Sequence, residues 1–260
     1  MDSMPTPKWK VEIYSLFLSD VSLRSATAQV CVNTGPRVDV GWINSATVFL
    51  FYGQYLIGEM VLEDTFINTE ISNDVLVLEM GAFEIQDMTA FKSFVRGIMP
   101  KPRNGCLPDK TALIGKLEVV EKGHRLTLAI DLCGIGGLTT DDPKVFITDD
   151  LIEITFSMTN ATPVELYIEN AEFHLEKDEA YLATLSGSFY IEVGKRSYHL
   201  KGQIQPGVRK RFFGNAVLTG YRVNPDASGL GGNEKTWLTH ALREFKIDVN
   251  LDEMVGRQLE

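Results

Sequence analysis

Apolar and polar residues alternate through most of the chain. In HRLTLAIDL (124–132) every second residue is leucine, isoleucine or histidine, and LIEITFSM (151–158) alternates in the same way. A period of two between turn-forming residues is typical of half-buried antiparallel strands. EKG (121–123) and GKR (194–196) are expected hairpin turns, because glycine adopts positive φ at little cost. The pattern predicts a mainly β protein.

Two segments have helical periodicity instead, 87–99 and 233–247. In the first, Asp87 is placed to cap the free amides and Pro100 follows the end; in the second, Asn233 is the candidate cap. The apolar stripes consist of Ala90, Phe91, Phe94, Val95 and Ile98 in the first segment and Leu238, Ala241, Leu242 and Phe245 in the second. We expect two short helices, at about 88–99 and 234–246.

The chain repeats itself at a distance of about 127 residues, and the repeat predicts its architecture. The matching segments are WKVEI (9–13) with PKVFI (143–147), INSATVFL (43–50) with IENAEFHL (168–175), Asn33 and Pro36 with Asn160 and Pro163, and the first helix with the second. The boundary falls near residue 142, in GIGGLTTDDP. We therefore predict two tandem antiparallel β-sandwich domains, 8–142 and 143–260, each with one short α-helix.

The repeated Asn-x-x-Pro element predicts a crossing between sheets. Proline restricts the residue before it to extended geometry and cannot donate to a sheet ladder. Asparagine bonds readily to its local backbone. The element therefore ends one strand and starts the next without an intervening helix.

The order of elements around LFYGQYLIGEMVL (50–62) resembles that of the late-embryogenesis-abundant type-2 (water-stress hypersensitivity) superfamily. It is most similar to a fungal branch of unknown function within that superfamily. The matching positions are Leu50, Tyr52, Gly53, Ile57 and Gly58. The resemblance implies a fibronectin-like β-sandwich for each half and implies no established catalytic residues. In the second half, HLEKDEAYLATLSG replaces this element.

Charge and cysteine usage restrict the partners and the compartment. The net charge of −10 argues against general nucleic-acid binding and against docking on anionic membranes. The basic run VRKRFF (208–213) is an exception that suits a solvated turn or an anionic partner. Three cysteines without a Cys-x-x-Cys pair predict a reducing, cytoplasmic location. No signal peptide and no apolar run of about 18 residues is visible, so no membrane span is expected.

No motif points to a catalytic group, a metal or a cofactor. The four histidines form neither H-x-x-x-H nor H-E-x-x-H, and G-x-S-x-G is missing. GLGGNEKT (229–236) lacks the last glycine of a phosphate-binding loop, and CGIGGL (133–138) lacks the context of a dinucleotide site. We expect no metal and no cofactor, and the sequence leaves open whether the protein is an enzyme.

Clustered aromatic residues are the strongest sign of a binding surface. VFLFYGQYLI (48–57) is apolar on both faces if it forms one strand, and this requires a second cover: the other repeat, a partner chain or an apolar ligand. Sites for such ligands favour interfaces between domains. The candidate ligand-binding residues are Trp42, Phe51, Tyr52, Tyr55, Trp237 and His240.

Two hypotheses on function follow. In the first, the chain is a non-catalytic binding protein for a hydrophobic small molecule or a partner protein. In the alternative, it is a cofactor-free cyclase or isomerase of a fungal secondary-metabolite pathway that shapes a flexible apolar substrate in a β-sandwich pocket. Tyr52 or His240 would then polarise a carbonyl group. A purely structural, complex-forming role is a third option.

Overall fold

The protein is mainly β and its strands are mostly antiparallel, as predicted. The computed structural model describes residues 12–20, 25–33, 39–52, 54–68, 75–100, 114–121, 124–131, 138–141, 143–161, 164–223 and 237–252. The strands in these ranges are Glu12–Asp20 (β1), Ser25–Asn33 (β2), Asp39–Tyr52 (β3), Tyr55–Asn68 (β4), Val75–Ile85 (β5), Ile114–Glu121 (β6), His124–Asp131 (β7), Leu138–Thr140 (β8), Lys144–Thr148 (β9), Leu151–Asn160 (β10), Val164–Lys177 (β11), Ala180–Ile191 (β12), Gly194–Ile204 (β13), Asn215–Val223 (β14) and Lys246–Asn250 (β15). The helices are Met88–Ile98 (α1) and Trp237–Arg243 (α2).

The two halves of the chain pair their strands in the same order. In the first half the order is β1-β2-β5-β4-β3-β6-β7, and β7 returns to β1 in a short parallel pairing. In the second half it is β9-β10-β13-β12-β11-β14-β15, and β15 contacts β9 at the equivalent place. INSATVFL and IENAEFHL lie in β3 and β11, each of which is fifth in the strand order of its half. The sequence repeat is therefore matched by a repeat in strand order.

Hydrogen bonding continues across the predicted domain boundary. Leu16 to Ser19 of β1 pair in parallel with Val164 to Tyr167 of β11, so that all the described strands belong to one connected sheet. The short strand β8 precedes residue 142 and yet pairs with β10 of the second half. The division into separate domains 8–142 and 143–260 stays a prediction.

The Asn-x-x-Pro element of the second half joins two strands without an intervening helix, as expected. Asn160 is the last residue of β10, and β11 begins at Val164. The Asn160 side chain is buried, and its Nδ2 donates to the carbonyl oxygen of Val164 at 2.7 Å. This bond connects the end of β10 to the start of β11. In the first half, β2 ends at Asn33 and β3 begins at Asp39.

Replacing Asn160 with alanine is expected to lower the free energy of unfolding by about 1–3 kcal/mol, because a buried carbonyl loses its donor. Chemical denaturation of the full chain measures this loss. Asn215→Ala is the control, since Asn215 is exposed and surface substitutions usually change stability by less than about 0.5 kcal/mol. Equal stability of the two variants would contradict a structural role for this bond.

Helix α1 confirms its sequence prediction. Asp87 caps it by accepting from the amides of Thr89 and Ala90, and all five residues of the predicted stripe are buried. Helix α2 is shorter than predicted, and its proposed cap Asn233 lies outside the described residues. Phe245 is buried but follows the helix. The two helices also occupy different connections, α1 between β5 and β6 and α2 between β14 and β15, so the predicted match of one helix with the other is wrong.

Aromatic rings fill the core of the second half. Phe245 packs against Phe156, Phe173 and Phe189, with ring centroids between 5.2 and 5.9 Å apart. Their strands supply these rings from alternate positions, which is the inward face that the period of two predicted. Helix α2 covers the cluster and packs closely on Gly220 of β14.

Candidate functional site

The aromatic segment VFLFYGQYLI forms a hairpin, where the sequence suggested a single strand. Strand β3 ends at Tyr52 and β4 begins at Tyr55, and these two residues face each other in the ladder. Gln54 lies in the turn between them. The expectation of one strand that is apolar on both faces was therefore wrong, because the chain reverses direction between Tyr52 and Tyr55.

The tip of this hairpin presents apolar side chains to solvent. Tyr55 is 60% exposed, one of the largest exposed hydrophobic residues in the described part of the chain. Phe49, Phe51 and Leu56 behind it are half-buried, and Ile57 is fully buried. The apolar side chains of the hairpin thus extend from the buried Ile57 to the exposed ring of Tyr55.

Backbone hydrogen bonds anchor the hairpin tip to the start of α1. The carbonyl oxygen of Ile57 accepts from the amides of Gln86 at 2.8 Å and Asp87 at 3.1 Å. The side chain of Gln86 donates to Glu59 at 3.3 Å. Because Asp87 is also the cap of α1, the turn that ends β5 fixes both the helix and the hairpin.

Helices α1 and α2 are in contact with each other. Arg96 on α1 makes two hydrogen bonds of 2.8 Å with the carboxylate of Glu244, which directly follows α2. One turn earlier on each element, Lys92 lies close enough to His240 to lower its pKa. Both pairs have the same separation in sequence, 148 residues.

Positive charge collects between the helices. Burial lowers the pKa of His240, and the positive charges of Lys92 and Arg243 lower it further. Arg243 donates from Nε to the carbonyl oxygen of Tyr221 at 2.9 Å, and its guanidinium carbon lies 5.7 Å from the centre of the Tyr221 ring. No carboxylate of the described residues contributes to the shift of His240.

Five of the six candidate binding residues fall on this part of the molecule. Phe51, Tyr52 and Tyr55 form the hairpin tip, and Trp237 and His240 lie on α2. Trp42 does not join them, because it precedes Phe51 by nine positions in one strand, about 30 Å. Of Trp42, Tyr52 and Trp237 the structure describes only the backbone.

Sequence reasoning missed Lys92, Arg96 and Arg243 as parts of this surface. The first two are four residues apart on α1, so they share a face of the helix. His240 and Arg243 are three apart on α2 and also share a face. These spacings are visible in the sequence, but they do not reveal that the two faces meet.

A second cluster of side chains surrounds His174 on strand β11. Its ring stacks on Tyr221 at 3.9 Å and meets the edge of Tyr181 at 4.6 Å. Burial lowers the pKa of His174, although the carboxylates of Glu172 and Glu176 oppose the change. His174 is half-buried, and its ring contacts with Tyr181 and Tyr221 suit a structural role.

A β-bulge in β14 builds the second cluster. The ladder with β11 pairs Glu172 with Arg222 and Phe173 with Gly220, which leaves Tyr221 as the extra residue. Bulges redirect side chains in this way. Arg222 then bonds to Glu172 at 2.9 Å. The charges of this cluster are thus largely balanced within it, which suits a structural role.

Other chemical candidates are exposed or lie outside the described residues. Glu153 binds His199 at 2.8 Å and Lys201 at 2.9 Å, and these hydrogen bonds lower its pKa. The loop 229–236 and most of 133–138 lie outside the described ranges. Within those ranges, no three metal-ligating side chains converge, and neither helix is long and apolar enough to cross a membrane.

Comparison with known proteins assigns no family. No family model and no curated protein matches the chain. Among solved structures it resembles the exo-chitosanase CsxA of Amycolatopsis orientalis (TM-score 0.23, 11% identity, 80% of this chain and 25% of that one), the calcium binding domain CBD12 of CALX1.1 (0.20, 10%, 93% and 99%) and the CupB2 chaperone of Pseudomonas aeruginosa (0.17, 9%, 80% and 91%). The chain thus spans a quarter of the exo-chitosanase. Similarity at this level carries no argument about fold or function.

Proposed function

We propose that this is a non-catalytic binding protein that engages a partner protein through the hairpin tip and helices α1 and α2. We call this region, residues 49–57, 86–99 and 237–244, the tip–helix surface. The observation that carries the proposal is the exposed Tyr55, held at the end of an apolar hairpin that is anchored to α1. An exposed aromatic residue on a fixed support loses little conformational freedom on binding.

The architecture that we propose to underlie this function is a tandem pair of β-sandwiches. In support of it, the strand order of each half follows that of immunoglobulin-type sandwiches, in which strands A-B-E-D form one sheet and C-F-G the other. In such a fold, the bonded Asn160 would mark the crossing from the second strand in one sheet to the third strand in the other.

A protein partner suits the hairpin tip better than a small molecule does. Small-molecule sites are concave and bury most of the ligand, whereas Tyr55 projects into solvent at the end of a hairpin. Apolar surface of this kind marks protein interaction sites. A retained apolar small molecule would instead favour the hypothesis of a small-molecule binder or a cofactor-free cyclase or isomerase.

Native mass spectrometry of the protein from its own cells tests this function. We expect the wild-type chain to retain a protein subunit of defined mass and stoichiometry. Tyr55→Ser should reduce the retained fraction at least about tenfold, because it removes a central aromatic contact worth 1.4 kcal/mol or more.

Leu151→Ser is the matched control, since Leu151 is 54% exposed but lies on β10, outside the tip–helix surface. This variant should retain the subunit as the wild type does. Retention of a small molecule in place of a protein, equal loss in the two variants, or a wild-type chain without any retained species would overturn the proposal.

A further inference from the structure

Three groups that carry or can carry positive charge lie on helices α1 and α2 of the tip–helix surface. Lys92, His240 and Arg243 are all half-buried. None of the three makes an ion pair with a described carboxylate, while Lys92 and Arg243 act on His240 as like charges. Half-burying like charges together costs free energy, and a bound anion would offset this cost.

The neighbouring arginines show the opposite arrangement. Arg96 makes a bidentate pair with Glu244, and Arg222 pairs with Glu172. Carboxylates are abundant in this chain, whose net charge is −10. Glu244, the carboxylate that directly follows Arg243, is engaged by Arg96.

Arg243 is held in a fixed orientation by its contacts with Tyr221. Its Nε donates to the carbonyl oxygen of Tyr221, which leaves the four N–H groups of its two terminal nitrogens without a partner among the described residues. A guanidinium fixed in this way loses little further freedom when it binds a carboxylate in a fork.

We infer that Lys92, His240 and Arg243 form a subsite for a carboxylate, and that it receives an acidic side chain of the partner protein. This inference rests on the proposed function, because Lys92 lies only one turn into α1, whose start anchors the hairpin tip. The partner segment therefore combines an apolar side chain at Tyr55 with an acidic one at the subsite. Since the protein is acidic elsewhere, these cations fix the register of the partner.

Isothermal titration calorimetry of the full chain with two synthetic peptides tests the subsite. One short peptide alternates leucine with glutamate, and its twin has glutamine in place of glutamate. We expect the glutamate peptide to bind at least about tenfold more tightly, as charge-assisted hydrogen bonds contribute more than neutral ones. Added salt should reduce the difference.

Lys92→Gln and Arg243→Gln should each weaken binding of the glutamate peptide about tenfold. Lys144→Gln, at an exposed lysine on β9, should leave it unchanged. If losing the bond to Tyr221 destabilises Arg243→Gln, the result for Lys92→Gln alone decides whether the subsite binds the glutamate peptide. Equal binding of the two peptides, an equal effect of Lys144→Gln, or no binding of the glutamate peptide would overturn the inference.

Tyr55→Ser separates the subsite from the proposed function. This variant should weaken the binding of both peptides by the same factor. If it has no effect while the lysine and arginine variants do, the subsite stands and the role of the hairpin tip fails. If only Tyr55→Ser matters, the tip stands and the subsite fails.

Affinity for the glutamate peptide should rise as pH falls through the pKa of His240. That pKa is lowered by burial and by Lys92 and Arg243, so the imidazole is neutral at pH 7 and gains its charge only below it. Its protonation adds a third positive charge to the subsite. His240→Gln should abolish the rise, and an undiminished rise in this variant would exclude His240 from the subsite.

Discussion

Phe245→Ala is expected to lower the free energy of unfolding by about 3–5 kcal/mol. The Phe245 side chain is fully buried and contacts three other rings, Phe156, Phe173 and Phe189. These rings belong to three different strands, so the surrounding backbone cannot collapse easily into the space that alanine leaves. Denaturant unfolding of the full chain, followed by near-ultraviolet circular dichroism, measures the loss.

Phe213→Ala is the matched control for this substitution. Phe213 is 57% exposed and touches Lys177 across its ring. Its loss should therefore cost at most about 1 kcal/mol, the scale of an exposed cation–π contact. A change of less than about 1 kcal/mol in Phe245→Ala would contradict the packing of α2 and β15 on a shared aromatic core.

Gly220→Ala is expected to cost about 3 kcal/mol and to displace α2. A Cβ at this position would lie 2.1 Å from the carbonyl oxygen of Leu242, so the strand or the helix must move. Overpacking of this kind costs about 1–3 kcal/mol when side chains can adjust. Here the obstacle is backbone, so we expect the upper end of that range. The displaced helix should also move Arg243 and weaken binding of the glutamate peptide.

Two further variants distinguish the steric clash at Gly220 from other effects of placing a methyl group on a glycine. Gly207→Ala meets no atom within 4 Å but has φ of +82°, so it should cost only the 1–2 kcal/mol of a left-handed residue and leave peptide binding unchanged. Adding Leu242→Ala to Gly220→Ala should not restore stability, because the clash is with a backbone oxygen. Full rescue by the double variant would contradict this account.

Local patterns in the sequence were sufficient for the features that depend on neighbouring residues. Asp87 and the apolar stripe of α1 predicted the helix and its buried face, because caps and periodicity act within a few turns. Asn160 and its proline predicted that β10 and β11 are joined without an intervening helix. The repeat predicted which strands would be equivalent, and β3 and β11 do occupy the same place in the order.

Features that depend on tertiary contact could not be predicted from the sequence. The pattern of 48–57 suited one doubly apolar strand, and only the pairing of Tyr52 with Tyr55 shows that it is a hairpin. The neighbours Lys92 and His240 are 148 residues apart, as are Arg96 and Glu244, and no spacing rule connects them. The sequence repeat likewise suggested that α1 and α2 are equivalent, whereas α1 follows the fifth strand of its half and α2 follows the sixth.

Hydrogen exchange of the full chain, measured by mass spectrometry with its retained partner and after dissociation of that partner, tests the central claim most directly. The account predicts that protection on binding is confined to 49–57, 86–99 and 237–244. It predicts no change in β10 and β13, which lie outside the tip–helix surface. Protection centred on β10 and β13, with unchanged exchange at the hairpin tip and in both helices, would contradict it.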